Sequence, residues 1–330
     1  MSMTSRKRLE LTFAGEPADH TPVALWRHFP VDDQNPELLA ASILNFQSQY
    51  NFDLVKVTPA SSFCVKDWGS RDVWRGSPEG VREFTHFPIQ EPDDWKKITP
   101  LDPRKGALGE QLRCLALIRK GLPAGVPFIQ TIFSPLAQMK NLVGKSQIVV
   151  HLRSNQALMH QVLRAITQTT LDFIKECKKT GMDGIFYAEQ HAQIELLTAD
   201  EFAEFCRPYD LQIFDAASDC WCNVLHIHGE HIRFEQFLDY PAQIINWHDR
   251  TTFPSISQAR LLTDKTLCGG ISQWSTLTYK SAEEVSAEAL NALQQSQGRR
   301  FILGTGCVLP IIASHGNIQA VTQAARSFEV

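Results

Sequence analysis

No run of apolar residues in this chain is long enough to span a bilayer, and the first residues do not lead into the apolar core of a secretory leader. A membrane partner is not expected, and the cytoplasm is the expected location. Concentrated positive charge is also lacking: 32 Lys and Arg stand against 36 Asp and Glu, and the basic residues are scattered rather than striped. Such a surface offers no broad field to a phosphate backbone, so nucleic acid is not expected as a partner. Three reaction signatures are missing as well. There is no Gly-rich phosphate loop ending in Lys-Ser/Thr, no Gly-x-Ser-x-Gly nucleophile elbow and no His-Glu-x-x-His zinc helix. None of the eight cysteines forms a pair with a two-residue gap; Cys220 and Cys222 have a gap of one residue, Trp221, and the set reads as reduced thiols, mostly small core residues.

What the chain does contain is enough apolar sequence, 43% against 21% charged, to bury a substantial core. Short apolar runs bounded by Gly, Pro, Asp or Asn predict eight strands, at 22–27, 53–58, 127–133, 184–188, 223–228, 243–247, 266–271 and 300–304. Helical periodicity runs over 37–50, 109–120, 146–180, 198–219, 234–238, 255–262, 281–297 and 317–328. Thr198 with Glu201, and Ser281 with Glu284, fit capping boxes at two of these starts. Repeated strand-then-helix units predict the α/β class with a parallel sheet. With no Gly-x-Gly-x-x-Gly after the first strand, a closed (β/α)8 TIM barrel is favoured over an open doubly wound sheet. Residues 1–330 are read as one such domain, with the stretch 60–126, rich in Trp, Pro and charge, as an excursion after the second strand that covers one mouth.

Chemistry in a barrel gathers at the C-terminal ends of its strands. His226 and His228 end the fifth predicted strand, and residues two apart on a strand point to the same side. His248 ends the sixth and Cys307 follows the eighth. Zinc in catalytic sites takes about three nitrogen, sulfur or oxygen ligands and keeps one position open for substrate. His226, His228 and Cys307 are therefore the candidate metal ligands, with His248 a fourth contributor or neighbour. The ordinary alternative is that the histidines bond backbone or solvent and that Cys307 is a buried thiol.

Glu189, at the end of the fourth strand, is a candidate acid or base, a candidate orienting partner for a histidine ligand, or the ion-pair partner of Arg27. Arg27 is a candidate clamp for a carboxylate or phosphate, with a structural ion pair as the equal alternative. Lys56 is either a desolvated amine facing the barrel interior or, the more ordinary arrangement, a lysine snorkelling outward among the helices. His191 reads as a loop residue.

Five pieces, in this order along the chain, resemble the uroporphyrinogen decarboxylase superfamily. They are Thr21-Pro22 ahead of Trp26-Arg27, Phe52-Asp53, the segment from Gly181 to Ala192 that contains Glu189 and His191, the run from Phe205 to Tyr209, and Leu303-Gly304-Thr305-Gly306. That superfamily includes the decarboxylase, corrinoid-linked coenzyme M methyltransferases and, more remotely, cobalamin-independent methionine synthase. The chain departs from the decarboxylase where its chemistry lies: Val31 stands for a second arginine, Ala60 for the aspartate that holds the pyrrole nitrogens, and Thr305 for a late histidine. The methyltransferase branch is closer. Its zinc ligands come as His-x-Cys after the fifth strand and Cys after the eighth, which His226 and Cys307 match while His228 replaces the middle cysteine. In methionine synthase a zinc glutamate falls about where His248 stands.

The resemblance thus implies a zinc-dependent, methyltransferase-like enzyme that activates a small-molecule thiol for methyl transfer from a corrinoid-type donor carried by a partner protein. In that reading His226, His228 and Cys307 hold the metal, His248 and Glu189 complete or orient the shell, and Arg27 anchors a carboxylate or sulfonate of the substrate. The alternatives are a metal-free uroporphyrinogen decarboxylase acting on a carboxylated tetrapyrrole, and a non-catalytic barrel that binds a tetrapyrrole or corrinoid. Barrels of this kind often dimerise, so a homodimer is an open expectation.

Overall fold

Parallel strands need both faces covered, and the near-continuous apolar runs of this chain are built for that position. The computed structural model describes residues 3–328. Its strands in chain order are β1 (Val23–Ala24), β2 (Val55–Val57), β3 (Arg71–Val73), β4 (Glu83–His86), β5 (Phe128–Phe133), β6 (Gly184–Glu189), β7 (Val224–Ile227), β8 (Ile244–Trp247), β9 (Thr266–Ile271) and β10 (Phe301–Thr305). β3 and β4 form an antiparallel hairpin. The other eight make one parallel sheet in the order β1-β10-β9-β8-β7-β6-β5-β2, a nearly closed (β/α)8 TIM barrel. β5, β6 and β9 are buried along their whole length. Each predicted strand is present, and the largest change is in the first, where only Val23 and Ala24 join the ladder.

The helices are α1 (Ser5–Ala14), α2 (Pro36–Tyr50), α3 (Gly106–Gly121), α4 (Pro135–Val143), α5 (Ile148–Ser154), α6 (Gln156–Lys179), α7 (Ala199–Phe205), α8 (Arg207–Ala216), α9 (Ile256–Leu262), α10 (Ala282–Ser296) and α11 (His315–Ser327). The single helix expected over 146–180 is two, because Asn155 leaves the helical conformation and caps α6 through its side chain, which accepts from Leu158 N. The run 198–219 also divides, at Cys206 and without a side-chain cap, because Pro208 has no N–H to continue the ladder of α7 but fits the first turn of α8. α4 escaped the periodicity reading although Ser134-Pro135 is a start signal: the Ser134 hydroxyl accepts from Ala137 N and Pro135 sits in the first turn. Both expected capping boxes form. In α6, Leu163, Ile166, Phe173 and Ile174 bury one face at helical spacing, and truncating Ile166 to alanine would cost about 2–5 kcal/mol. Among the described residues no helix is long and apolar enough to cross a membrane.

The ring closes between β1 and β2 without a ladder. Instead Asp53 N donates to Val23 O at 2.8 Å, and Val23 N donates to the Asp53 carboxylate at 2.9 Å. Arg8 of α1 pairs with Asp53 and, at 2.7 Å, with Asp19, so the first helix is tied to this junction.

The stretch 60–126 holds both the hairpin and α3, and α3 packs against α2 as a barrel helix. The covering part is therefore the hairpin and its flanks. It is fastened by buried charge: Arg82 reaches Asp72 at 3.0 Å and Asp33, beyond the end of β1, at 3.2 Å, all three side chains nearly inaccessible. Two further ties are Trp274 Nε1 donating to Glu79 at 2.9 Å and Ile311 N donating to Pro78 O at 2.8 Å.

Candidate metal centre

Side chains alternate along a strand, so each inward residue fixes the parity of its neighbours. On this chain the inward set at the mouth includes Trp26, His28, Lys56, Phe186, His226 and His228, which line a cavity of about 660 Å³ beneath the hairpin. His248 and Cys307 line it too. One candidate ligand atom from each of His226, His228, His248 and Cys307 falls within 4.8 Å of all the others. Cys307 Sγ lies 3.7 Å from His226 Nε2 and 3.8 Å from His228 Nδ1. Tetrahedral zinc, with Zn–N about 2.0–2.1 Å and Zn–S about 2.3 Å, sets its nitrogen and sulfur donors roughly 3.6 Å apart, so the residues present fit the ion. His248 Nε2 is buried without a hydrogen-bond partner, a second sign that a group belongs there.

The orientation of His226 is set by Asn246, two residues before His248 on the same face of β8. The amide Nδ2 of Asn246 donates to Cys268 O at 2.9 Å and Thr305 O at 3.0 Å, which turns its Oδ1 toward His226 Nδ1, 2.7 Å away. His226 therefore carries its proton on Nδ1 and presents the Nε2 lone pair to Cys307. The Phe186 ring stacks on the other side, 5.2 Å between centroids. Gly306 makes the last approach possible, since a Cβ there would lie 2.8 Å from the His248 backbone.

Burial sets the charge states. It pushes His228 down to about 3 and holds His226 well below the usual imidazole range, with the neighbouring histidines adding to the effect, so both rings are neutral and able to ligate. Burial also lifts the Cys307 thiol to about 11, opposed by the nearby Lys56 ammonium. A cation is what would bring this thiol to its ionised form near neutral pH. Lys56 itself is brought down to about 7 by desolvation.

The structure brings together His226, His228, His248 and Cys307, but neither Arg27 nor Glu189 lines the cavity. Both have the opposite parity to their inward neighbours. Arg27, between inward Trp26 and His28, lies over the Phe29 and Phe46 rings and donates to Ile311 O. The structure therefore does not bring Arg27 to the cavity where a clamp was expected, and among the described residues it makes no ion pair with Glu189. Glu189 is fully buried in the wall behind Ala188 and accepts from His191 N at 2.6 Å; it touches neither the cavity nor a candidate ligand ring. Lys56 is corrected in the other direction, since it faces the interior and not the helices. The sequence reading missed Asn246, although the two-residue spacing that joined His226 to His228 also joins Asn246 to His248.

Nitrogen and sulfur donors converging beside a cavity at the strand-end rim of a (β/α)8 barrel define a barrel enzyme with a candidate metal centre. Comparison with known proteins gives the class a family. The uroporphyrinogen decarboxylase (URO-D) model matches residues 4–328, and the chain belongs to that family. It is similar to the methylcobamide:CoM methyltransferase MtaA of Methanosarcina barkeri, at 22% identity over 342 residues and 97% of each chain. Among solved structures it superposes on a methyltransferase from Methanosarcina mazei with a TM-score of 0.84, 20% identity and 98% of each chain covered. A B12-independent methionine synthase from a Shewanella species gives 0.61 at 13% identity, covering 93% of this chain and 97% of the other.

Proposed function

We propose that this barrel transfers a methyl group to a small-molecule thiol, with zinc held by His226, His228 and Cys307 and with the methyl donor a corrinoid presented by a partner protein. The observation that carries the reading is the cluster itself: imidazole and thiol donors within 4.8 Å of one another, with nitrogen-to-sulfur separations suited to zinc. Zinc bound there would act as a Lewis acid that keeps a coordinated thiol ionised near neutral pH. The chain's own residues do the rest. His226 and His228 supply neutral nitrogen donors, Asn246 fixes the tautomer of the first, and His248 fills or flanks the remaining direction. The hairpin over the mouth keeps bulk water from the reacting sulfur. The donor class is that named for the Methanosarcina barkeri relative. What speaks against decarboxylation of a polycarboxylated tetrapyrrole is the composition of the cavity, where no arginine is among the lining residues to pair with several acid groups.

The test is metal analysis joined to a methyl-transfer assay. One zinc per chain is expected in the wild type, with His226→Ala and Cys307→Ala losing both the metal and transfer from methylcobalamin to a thiol. A wild type free of zinc whose behaviour is unchanged by either substitution would sink the reading. Turnover of uroporphyrinogen would replace it with the decarboxylase, and corrinoid binding without turnover would replace it with a binding protein.

A further inference from the structure

A lysine inside a protein is ordinarily matched by a carboxylate or by several acceptors, because an unpaired ammonium is costly to bury. Lys56 has neither. It is only 6% exposed, its Nζ donates to one side chain, the Thr58 hydroxyl at 3.2 Å, and among the described residues it makes no salt bridge. Its other neighbours are rings: the Nζ lies 4.4 Å from the centroid of Phe186 and 5.9 Å from that of Trp26. Contact with ring faces offsets only part of the hydration an ammonium loses. The two other lysines of the cavity differ, since Lys140 donates to Gln190 at 2.6 Å and Lys145 is exposed. Desolvation brings Lys56 down to about 7, so a large share of it is free amine at neutral pH. His28, on the same cavity wall, is buried with no partner for its Nδ1, and burial and Lys56 together keep it neutral. An amine, a hydroxyl bonded to it and a neutral imidazole thus face one cavity of about 660 Å³, the parts of a nucleophile with its proton carriers.

We propose that Lys56 is a nucleophile that forms an imine with a short aldehyde or ketone admitted to this cavity, with Thr58 and His28 carrying its protons. The Nζ lone pair bonds to the carbonyl carbon, the carbonyl π pair moves to oxygen, and a proton passes from nitrogen to that oxygen. Departure of the hydroxyl with the second amine proton then releases water and leaves a C=N bond, with no change of oxidation state and no further reactant. The Thr58 hydroxyl is placed to pass the first proton, and the open Nδ1 of His28 to take up the second. Trp26 and Phe186 set the class of carbonyl compound, because rings flanking the nitrogen favour an apolar substituent and keep water from the imine. This activity draws on the amine and is independent of the metal reading.

Reductive trapping on the full chain tests it. Butanal or 2-butanone is added with cyanoborohydride, which reduces an imine to a stable secondary amine, and the alkylated lysines are mapped by peptide mass spectrometry. In folded wild type at about pH 7, Lys56 is expected to be labelled about tenfold or more faster than the exposed Lys96 and Lys105, which are almost wholly protonated there. Unfolding in urea should abolish that preference. Thr58→Val should slow the labelling of Lys56 about tenfold or more and leave the exposed lysines unchanged, and Lys56→Arg should remove the fast site. Labelling of Lys56 no faster than that of the exposed lysines in folded wild type, a comparison that needs no substitution, overturns the proposal. A preference that survives unfolding overturns it too, by placing the effect in the local sequence and not in the cavity. Metal-free and zinc-loaded protein are labelled side by side. A fast Lys56 in both supports the proposal whatever becomes of the zinc reading, and a slow Lys56 in both defeats the proposal while leaving that reading untouched.

Discussion

His226 Nδ1 donates to Asn246 Oδ1 at 2.7 Å, and the amide that accepts it cannot turn, because two main-chain carbonyls hold its other end. A ligand imidazole whose second nitrogen is held in this way presents a defined lone pair to a metal. Replacing Asn246 with leucine is therefore expected to weaken zinc binding about 10–100-fold while the barrel still folds. Competition with a chelator measures the affinity, and a cobalt-substituted protein should show an altered absorption spectrum. Unchanged affinity and spectrum would reduce Asn246 to a packing residue.

Gly306 lies where an added Cβ would press on the His248 backbone at 2.8 Å and on Trp247 O at 2.9 Å. Neither contact is with a flexible side chain, so Gly306→Ala should displace the loop that carries Cys307. The expected outcome is a loss of zinc affinity of about tenfold or more with a stability change of about 1–3 kcal/mol, read by metal content and urea denaturation of the same preparation.

The Glu189 carboxyl, fully buried, is pushed up to about 7 by desolvation, partly offset by hydrogen bonds from His191, Ser134 and Gln190. An unfolded chain releases this proton near the ordinary glutamate value while the folded one retains it. The contribution to stability is thus whole below about pH 4.5 and is lost as pH rises through about 7. Glu189→Gln should remove that slope, so that the variant gains stability over the wild type at about pH 8 relative to about pH 4. Denaturation midpoints across this range, wild type against variant, provide the check.

Arg82 stands between two buried carboxylates, so Arg82→Met leaves Asp33 and Asp72 facing each other without a cation. A destabilisation of about 3–5 kcal/mol is expected, concentrated in the hairpin. Limited proteolysis should cut between residues 71 and 86 in the variant and spare the wild type. Equal resistance would mean that Trp274 and Ile311 hold the cover unaided.

The barrel was legible because parallel strands flanked by helices leave an apolar run at every turn of the ring, and all eight were bounded by breakers. The His/Cys cluster was legible because His226 and His228 obey the two-residue period and Cys307, after β10 and separated from β7 by two strands of the ring, leaves at the same rim. Arg27 and Glu189 were misplaced by the same rule left unused: each is one residue out of phase with an inward neighbour, which sends it into the wall. Asn246 looked like an ordinary polar residue in an apolar strand, and only its pairing with His226 across β7 and β8 gives it a role. Helix ends set by side-chain capping, at Asn155 and Ser134, were lost because periodicity carries through a break that a single hydrogen bond decides.

The missing ladder between β1 and β2 lies diametrically across the ring from the β7–β8 pair that carries His226 and Asn246. Fluctuations of the barrel fall first on the side with the fewest interstrand bonds. His226 and Asn246 thus stand on the fully laddered side of the ring, whereas Lys56 on β2 stands beside the junction that the Asp53–Val23 bonds and Arg8 close in place of a ladder.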